Sequence, residues 1–324
     1  MLKANGAIFQ QRGISLMEYI TVIGSANMDI CAKSHKSIIP KDSNPGSVTK
    51  SPGGVGRNIA ENLARLGAKV KLIAPLGGDL SARILLDDCD AVGMDTKYCY
   101  IDETAVTPTY VAVLDNYGEM NVAVMDNSCT LPISHIKSHA SVIQDSSIIL
   151  LDTNLEEDML AYIVDVFKEN CIYVDTISVT KAEKIRPFIG QFHTVKMNKL
   201  EASSLANMEL TNDDDFVNAG KYFLSLGVQR VIISRGAKGL YYRNKATEVW
   251  LRPPKITPIN STGAGDALMA GIAYCSLMNM DDTYTATFAG EMARRTLLSN
   301  EAVNPEITLE EIVAQCKTAH LNHG

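Results

Sequence analysis

At 324 residues, with 46% hydrophobic and 21% charged residues, the chain has the balance of a globular protein with a sizeable core, at about twice the usual single-domain length. That balance excludes a largely disordered chain, and no internal repeat marks a solenoid. The net charge of −7 comes without a basic block, which argues against a nucleic-acid partner. No run approaches the roughly 18 apolar residues of a membrane helix. Seven cysteines, at 31, 89, 99, 129, 171, 275 and 316, are scattered and odd in number, with no C-x-x-C pair. They fit the reduced thiols of a cytoplasmic protein better than a disulfide framework or a zinc site.

Residues 1–16 lack the apolar core of a signal peptide and are set aside as an N-terminal extension, leaving 17–324 as the folded domain. Tyr19–Gly24 reads as a buried parallel strand. Val55, Ile59, Leu63 and Leu66 share a helical face that Gly67 closes. Val70–Ala74 is a predicted strand, and Ser81–Val92 a helix stopped by Gly93. Ile148–Asp152 (strand), Leu155–Asn170 (helix), Ile172–Asp175 (strand) and the strand around His193–Met197 continue the alternation. The helix Asp214–Leu226, the strand Val231–Ser234 and the helix Ala264–Leu277 complete it. Such alternation predicts an α/β fold, a central and mostly parallel sheet with helices on both faces.

Two stretches interrupt the pattern. Residues 30–50 carry Pro40, Asn44, Pro45 and Gly46 without a helical period. Residues 97–125 hold strand pieces, Thr109–Leu114 and Asn121–Met125, around the turn Asp115–Gly118. A small β-rich insertion of this kind is either a lid or an edge extension of the main sheet.

The sharpest motif is Asn260–Ala267, followed by an amphipathic helix. Gly263 and Gly265 permit close backbone approach, and the free N–H groups of the helix's first turn attract an anion. Asp266 at that spot makes sense as the acceptor of a hydroxyl proton while the amides hold charge on a transferred phosphoryl group. The bland alternative is a carboxylate favoured by the helix dipole. With an ordinary pKa of about 3.9, Asp266 is expected to be ionised at neutral pH. There is no G-x-x-x-x-G-K-[ST], and Gly53-Gly54-Val55-Gly56 lacks dinucleotide-binding spacing.

In the Gly53–Asn58 segment, glycine backbone can lie flush against a ligand and the Asn58 amide can bond hydroxyls; structural glycines at a helix start are the alternative. Asp29, just past the first strand, can accept bonds from two neighbouring sugar hydroxyls or simply cap a turn. Asn198 and Glu201, at i and i+3, can hold the water shell of Mg²⁺. Ser234, Gly236 and Gly239 form a strand-to-turn suited to phosphate approach or to a plain hairpin.

In this order along the chain, the pieces resemble the PfkB-type, ribokinase-like carbohydrate kinases, from about Met17 to the C-terminal helices. Within that family, Gly24–Asp29, Ser34-His35, Asp42–Gly46, Pro52–Asn62 and Asn260–Ala267 look most like the branch that phosphorylates the ribose 5′-hydroxyl of pseudouridine. The resemblance implies a ribokinase-like fold and an ATP-dependent kinase acting on a small-molecule nucleoside or sugar. Asp29, Gly53, Gly54 and Asn58 would bind ribose, with Asp152 on a further hydroxyl. Asp266 would be the base, and Gly263, Ala264 and Gly265 the anion hole. Lys196, Asn198, Ser234, Gly236 and Gly239 would line the ATP site, with Asn198 and Glu201 on Mg²⁺ through water. The insertions would close over the nucleoside, and an exposed lid edge can pair with a second copy as a homodimer. Asn260 stands where many relatives carry the aspartate that helps hold a monovalent cation, which leaves the cation requirement open. The rival readings are a kinase for another ribonucleoside or for free ribose or fructose, and a non-catalytic nucleoside-binding regulator.

Overall fold

The computed structural model describes residues 18–321; the extension expected over 1–16 lies outside them. In chain order the strands are β1 Ile20–Ile23, β2 Asn27–Ser34, β3 Gly46–Gly53, β4 Val70–Ile73, β5 Pro75–Gly77, β6 Tyr100–Asp102, β7 Thr109–Leu114, β8 Met120–Asp126, β9 Ile148–Asp152, β10 Ile172–Asp175, β11 Thr194–Asn198, β12 Arg230–Ser234, β13 Leu240–Asn244 and β14 Glu248–Leu251. The main sheet has the order β14-β13-β12-β11-β10-β9-β1-β4. β4 through β12 pair in parallel, and β13 and β14 close the far edge antiparallel. The expected ribokinase-like α/β architecture is therefore present.

Side-chain alternation along the parallel strands divides the interior into two cores. Ile148 and Leu150 join one core with Ile59, Leu63, Leu268 and Phe288 of the helices Val55–Arg65, Ala264–Leu277 and Asp282–Thr296. Ile149 and Leu151 face the other, with Leu160, Ile163, Leu205 and Phe223. Both faces being covered explains why these strands read as continuous apolar runs.

The helix expected over 155–170 spans only Glu157–Val166. Its start is delayed because Asp152 Oδ1 accepts from the Asn154 backbone amide at 2.8 Å and Asn154 Nδ2 donates to Ser25 Oγ at 2.8 Å, holding the chain in a turn.

A second sheet, β3-β2-β7-β8, is built from the two interrupting stretches. β2 pairs with β7 in parallel, while β3 and β8 form its edges. Tyr100–Asp102, in the second of those stretches, pairs with β5 instead. Val48, Val122 and Val124 are all more than half exposed on this sheet. Among the described residues no helix is long and apolar enough to cross a membrane.

Candidate active site

The site collects at the carboxyl ends of β1, β9, β10 and β11, where open parallel sheets gather ligands. Asp266 sits in the first turn of the Ala264–Leu277 helix, whose N-cap, Gly263, has φ 80°. A side chain there would collide with the carbonyl oxygen of Ala302, so the turn requires glycine. Asp266 is buried and accepts from Asn58 Nδ2 at 2.9 Å, across 208 residues of sequence. That hydrogen bond links the Val55–Arg65 helix to the Ala264–Leu277 helix, which carries the candidate base.

Asn58 lies in the first turn of the Val55–Arg65 helix, capped by Gly54 at φ 100°. A Cβ on Gly54 would stand 2.6 Å from Ala26 Cα and from the Ser25 carbonyl oxygen. Asp29 turns its carboxylate onto Gly53, where any Cβ would overlap it, and accepts from Asn27 Nδ2 at 2.5 Å. Burial pushes the Asp29 pKa upward.

Asp152 is fully buried. Its Oδ2 accepts from the Ser25 amide at 2.8 Å and the Ser25 hydroxyl at 3.0 Å, besides the Asn154 amide on Oδ1. The structure uses this carboxylate as a brace between β9 and the loop after β1. Ser25, given no role from the sequence, is the centre of that brace: its hydroxyl oxygen also accepts from the Val55 amide at 3.0 Å and from Asn154 Nδ2.

Lys196 stands beside the first turn of the Ala264–Leu277 helix: a Cβ on Gly265 would be 2.7 Å from its Nζ. The ammonium donates to both oxygens of buried Asp175, at 2.9 and 2.8 Å. Burial works to lower the Lys196 pKa, but the neighbouring Asp175 carboxylate outweighs it and the value is raised. The sequence marks Asp175 only as the end of a strand, and it shares with Asp152 the one available signal, an aspartate closing a buried parallel strand.

The electrostatics correct one expectation. Asp266 does not keep an ordinary carboxylate pKa. Burial, followed by the negative charge of Asp175, pushes it up to about 7, against the pull of Lys196 and the Asn58 hydrogen bond. A base held near the working pH suits proton transfer.

Asn198 and Glu201 form a capping box. Asn198 Oδ1 accepts from the Leu200 and Glu201 amides at 2.8 and 3.0 Å. Glu201, buried, accepts from the Asn198 amide at 2.7 Å, from Asn198 Nδ2 at 2.5 Å and from the Thr176 hydroxyl at 2.6 Å. Neither side chain is free for direct metal ligation, and no group of three or more His, Cys, Asp or Glu is arranged around a metal among the described residues. Ser234 ends β12, and Gly236 and Gly239 flank the short turn into β13. Gly236 faces open space, whereas Gly239 is pressed against Leu251 and Pro253. Those two residues, with Trp250, Thr283, Thr287 and Gly290, line a cavity of about 380 Å³. A smaller cleft, of about 50 Å³, runs from Ser25 and Asn154 to Met125, Asn127 and Thr130, at and just beyond the end of β8. Asn260 donates through Nδ2 to the Asn300 carbonyl at 3.1 Å and accepts from the Thr262 amide at 3.0 Å.

Residues 17–309 match the model of the pfkB family carbohydrate kinases. The chain is 36% identical over 305 residues to the pseudouridine kinase of Escherichia coli (strain K12), covering 93% of this chain and 97% of that protein. A carbohydrate kinase from Agrobacterium tumefaciens superposes with a TM-score of 0.82 at 28% identity, covering 93% of this chain and 97% of that one. A ribokinase from Thermotoga maritima shares the fold, with a TM-score of 0.82 at 22% identity over 92% of this chain and 99% of that one.

Proposed function

The chain belongs to the pfkB family of carbohydrate kinases, and on that premise we propose that it transfers the γ-phosphoryl group of ATP to the ribose 5′-hydroxyl of pseudouridine. The observation that carries this reading is the Asn58–Asp266 hydrogen bond, which puts the sugar-side helix and the anion-hole helix at one point. The likeness to a pseudouridine kinase over nearly the whole chain supports the choice of nucleoside.

In this mechanism Asp29, Asn58 and the backbone at Gly53 and Gly54 hold the ribose, while Asp152 holds Ser25 and the loop in place. The nucleobase lies in the cleft between Ser25 and Asn127, beneath the four-stranded sheet, which acts as a lid and excludes water. Adenine occupies the cavity beside Gly239, with Ser234 and Gly236 on the path to the phosphates. The 5′-oxygen attacks the γ-phosphorus, the bond from phosphorus to the β–γ bridging oxygen breaks, and ADP leaves. Asp266 takes the hydroxyl proton. The Ala264 and Gly265 amides and the Lys196 ammonium stabilise charge on the transferring group. Mg²⁺ would neutralise phosphate charge. The capping box fits it only as an outer layer contacting its waters, because both side chains are already engaged.

Turnover with pseudouridine, uridine, adenosine, ribose and fructose tests the assignment: pseudouridine is the preferred acceptor, and a strong preference for ribose or fructose rejects it. With 2′-deoxy and 3′-deoxy analogues, binding weakens, and Asp29→Ala narrows their disadvantage relative to the parent nucleoside. Equal loss for parent and analogues makes Asp29 a structural cap.

Dependence on potassium is weak. The Asn260 amide lacks a carboxylate's charge, and its oxygen is already occupied by the Thr262 amide. Replacing K⁺ by a bulky organic cation at constant ionic strength lowers kcat by less than about tenfold. A much larger drop shows that the surrounding carbonyl oxygens suffice for a cation site. Among the described residues the outer edges of β3 and β8 are unpaired and offer a second copy a place to dock, so sedimentation is expected to find a dimer that Val124→Lys weakens.

A further inference from the structure

We propose that Arg57 is a positioning residue for phosphoryl transfer: its guanidinium dictates which way the Asn58 amide faces and thereby keeps an N–H directed at Asp266. The two ends of a primary amide are nearly the same shape, so packing alone does not choose between them. Arg57 does choose. Its Nη1 donates to Asn58 Oδ1 at 3.1 Å, and a guanidinium has no acceptor to offer. The oxygen must face Arg57, and the NH₂ group must face the Asp266 carboxylate, 2.9 Å away. Turned the other way, the amide would set oxygen against oxygen at the candidate base.

The guanidinium is itself held rigidly. Arg57 and Glu61 are both buried, and Arg57 Nη2 lies 2.5 Å from Glu61 Oε2 and also bonds Asp88. Glu61 is anchored from its other side by Arg65, whose Nε donates to Oε1 at 2.8 Å. Positions 57, 61 and 65 fall on one face of the helix, so the charges alternate along it and end at the site. A buried ion-pair ladder of this kind is poor evidence of stabilisation, and orientation of a neighbour is the use the geometry offers it. Asn58, one residue on, projects from a different side of the helix and carries the constraint to Asp266.

The inference rests on the reading of Asp266 as base, and the test separates the two. Asp175 from β10, Lys196 from β11 and Asp152 from β9 also act on Asp266, and Arg57 variants leave all three in place. The measurement is kcat against pH at saturating substrates for Arg57→Lys and Arg57→Met, each alone and with Asn58→Ala, alongside thermal unfolding. A lysine keeps the charge beside Glu61 and Asp88, but one ammonium does not span those carboxylates and Asn58 together. Loss of the donor disfavours the ionised base, so the acid limb moves up by about one pH unit, a tenfold loss of turnover below the midpoint. In the Asn58→Ala background the same substitution moves it no further. Either folded variant suffices. A limb that stays put while the melting temperature falls, or an equal shift without Asn58, overturns the proposal and leaves Arg57 a structural residue. Near-normal turnover in Asp266→Asn instead removes the base assignment itself.

Discussion

Asp266→Asn lowers kcat by at least about a hundredfold, since a positioned general base contributes about 10²–10⁴-fold, while the nucleoside still binds. The same substitution raises the melting temperature of the ligand-free protein above pH 7. The folded-state pKa, about 7, stands above the usual 3.8. The protonated form is therefore the one the fold favours, and its stabilisation is complete below about pH 4. It is lost as pH rises through 7, because a charge then forms in a buried site beside Asp175. Asparagine cannot ionise and escapes that cost, so the variant's advantage shrinks toward pH 4. For the parent, kcat/KM, which reports the free enzyme, has an acid limb near pH 7. Near-normal turnover in the variant removes Asp266 from the chemistry. An unchanged melting temperature at pH 8 shows that the site is less dry than its burial implies.

The opposition between that gain in stability and the loss of turnover explains what was legible in the sequence. Local patterns carried the parallel strands, because a strand buried on both faces must be a short apolar run, and β9 and β10 begin and end where the periodicity placed them. Gly263 and Gly54 were visible because their backbone angles leave little alternative. What was missed depends on contacts between distant segments. Nothing near position 175 announces that its carboxylate meets Lys196, and nothing near 25 announces the brace to Asp152. The elevated pKa of Asp266 was unreadable for the same reason, being set by burial and by carboxylates 91 and 114 positions away along the chain. The β13–β14 hairpin escaped because Leu240–Tyr242 are buried in succession rather than in alternation, and because it lies beyond the parallel run. The capping box at Asn198 shows the reverse case. A spacing read as a candidate metal site is also what a helix start needs to satisfy its first amides.

Lys196→Met is expected to damage both stability and turnover, and the two effects can be separated. Removing the ammonium leaves Asp175 buried without its cation, and breaking a buried pair from one side costs about 3–5 kcal/mol. Loss of a preorganised positive group beside the transferring phosphoryl lowers kcat by about 10²–10³-fold, as removal of an anion-hole donor does. Part of that loss arises through the base, because Lys196 holds the Asp266 pKa down, and that part vanishes at pH values well above the acid limb. Lys196→Met combined with Asp175→Asn takes away both charges. It restores much of the melting temperature, since no carboxylate is stranded, and relieves the repulsion that raises the Asp266 pKa. Turnover measured at high pH nevertheless stays low, because the cation that faces the Gly265 backbone is still missing. If kcat returns together with stability in the double variant, Lys196 serves only to neutralise Asp175, and the anion hole works through its backbone amides alone.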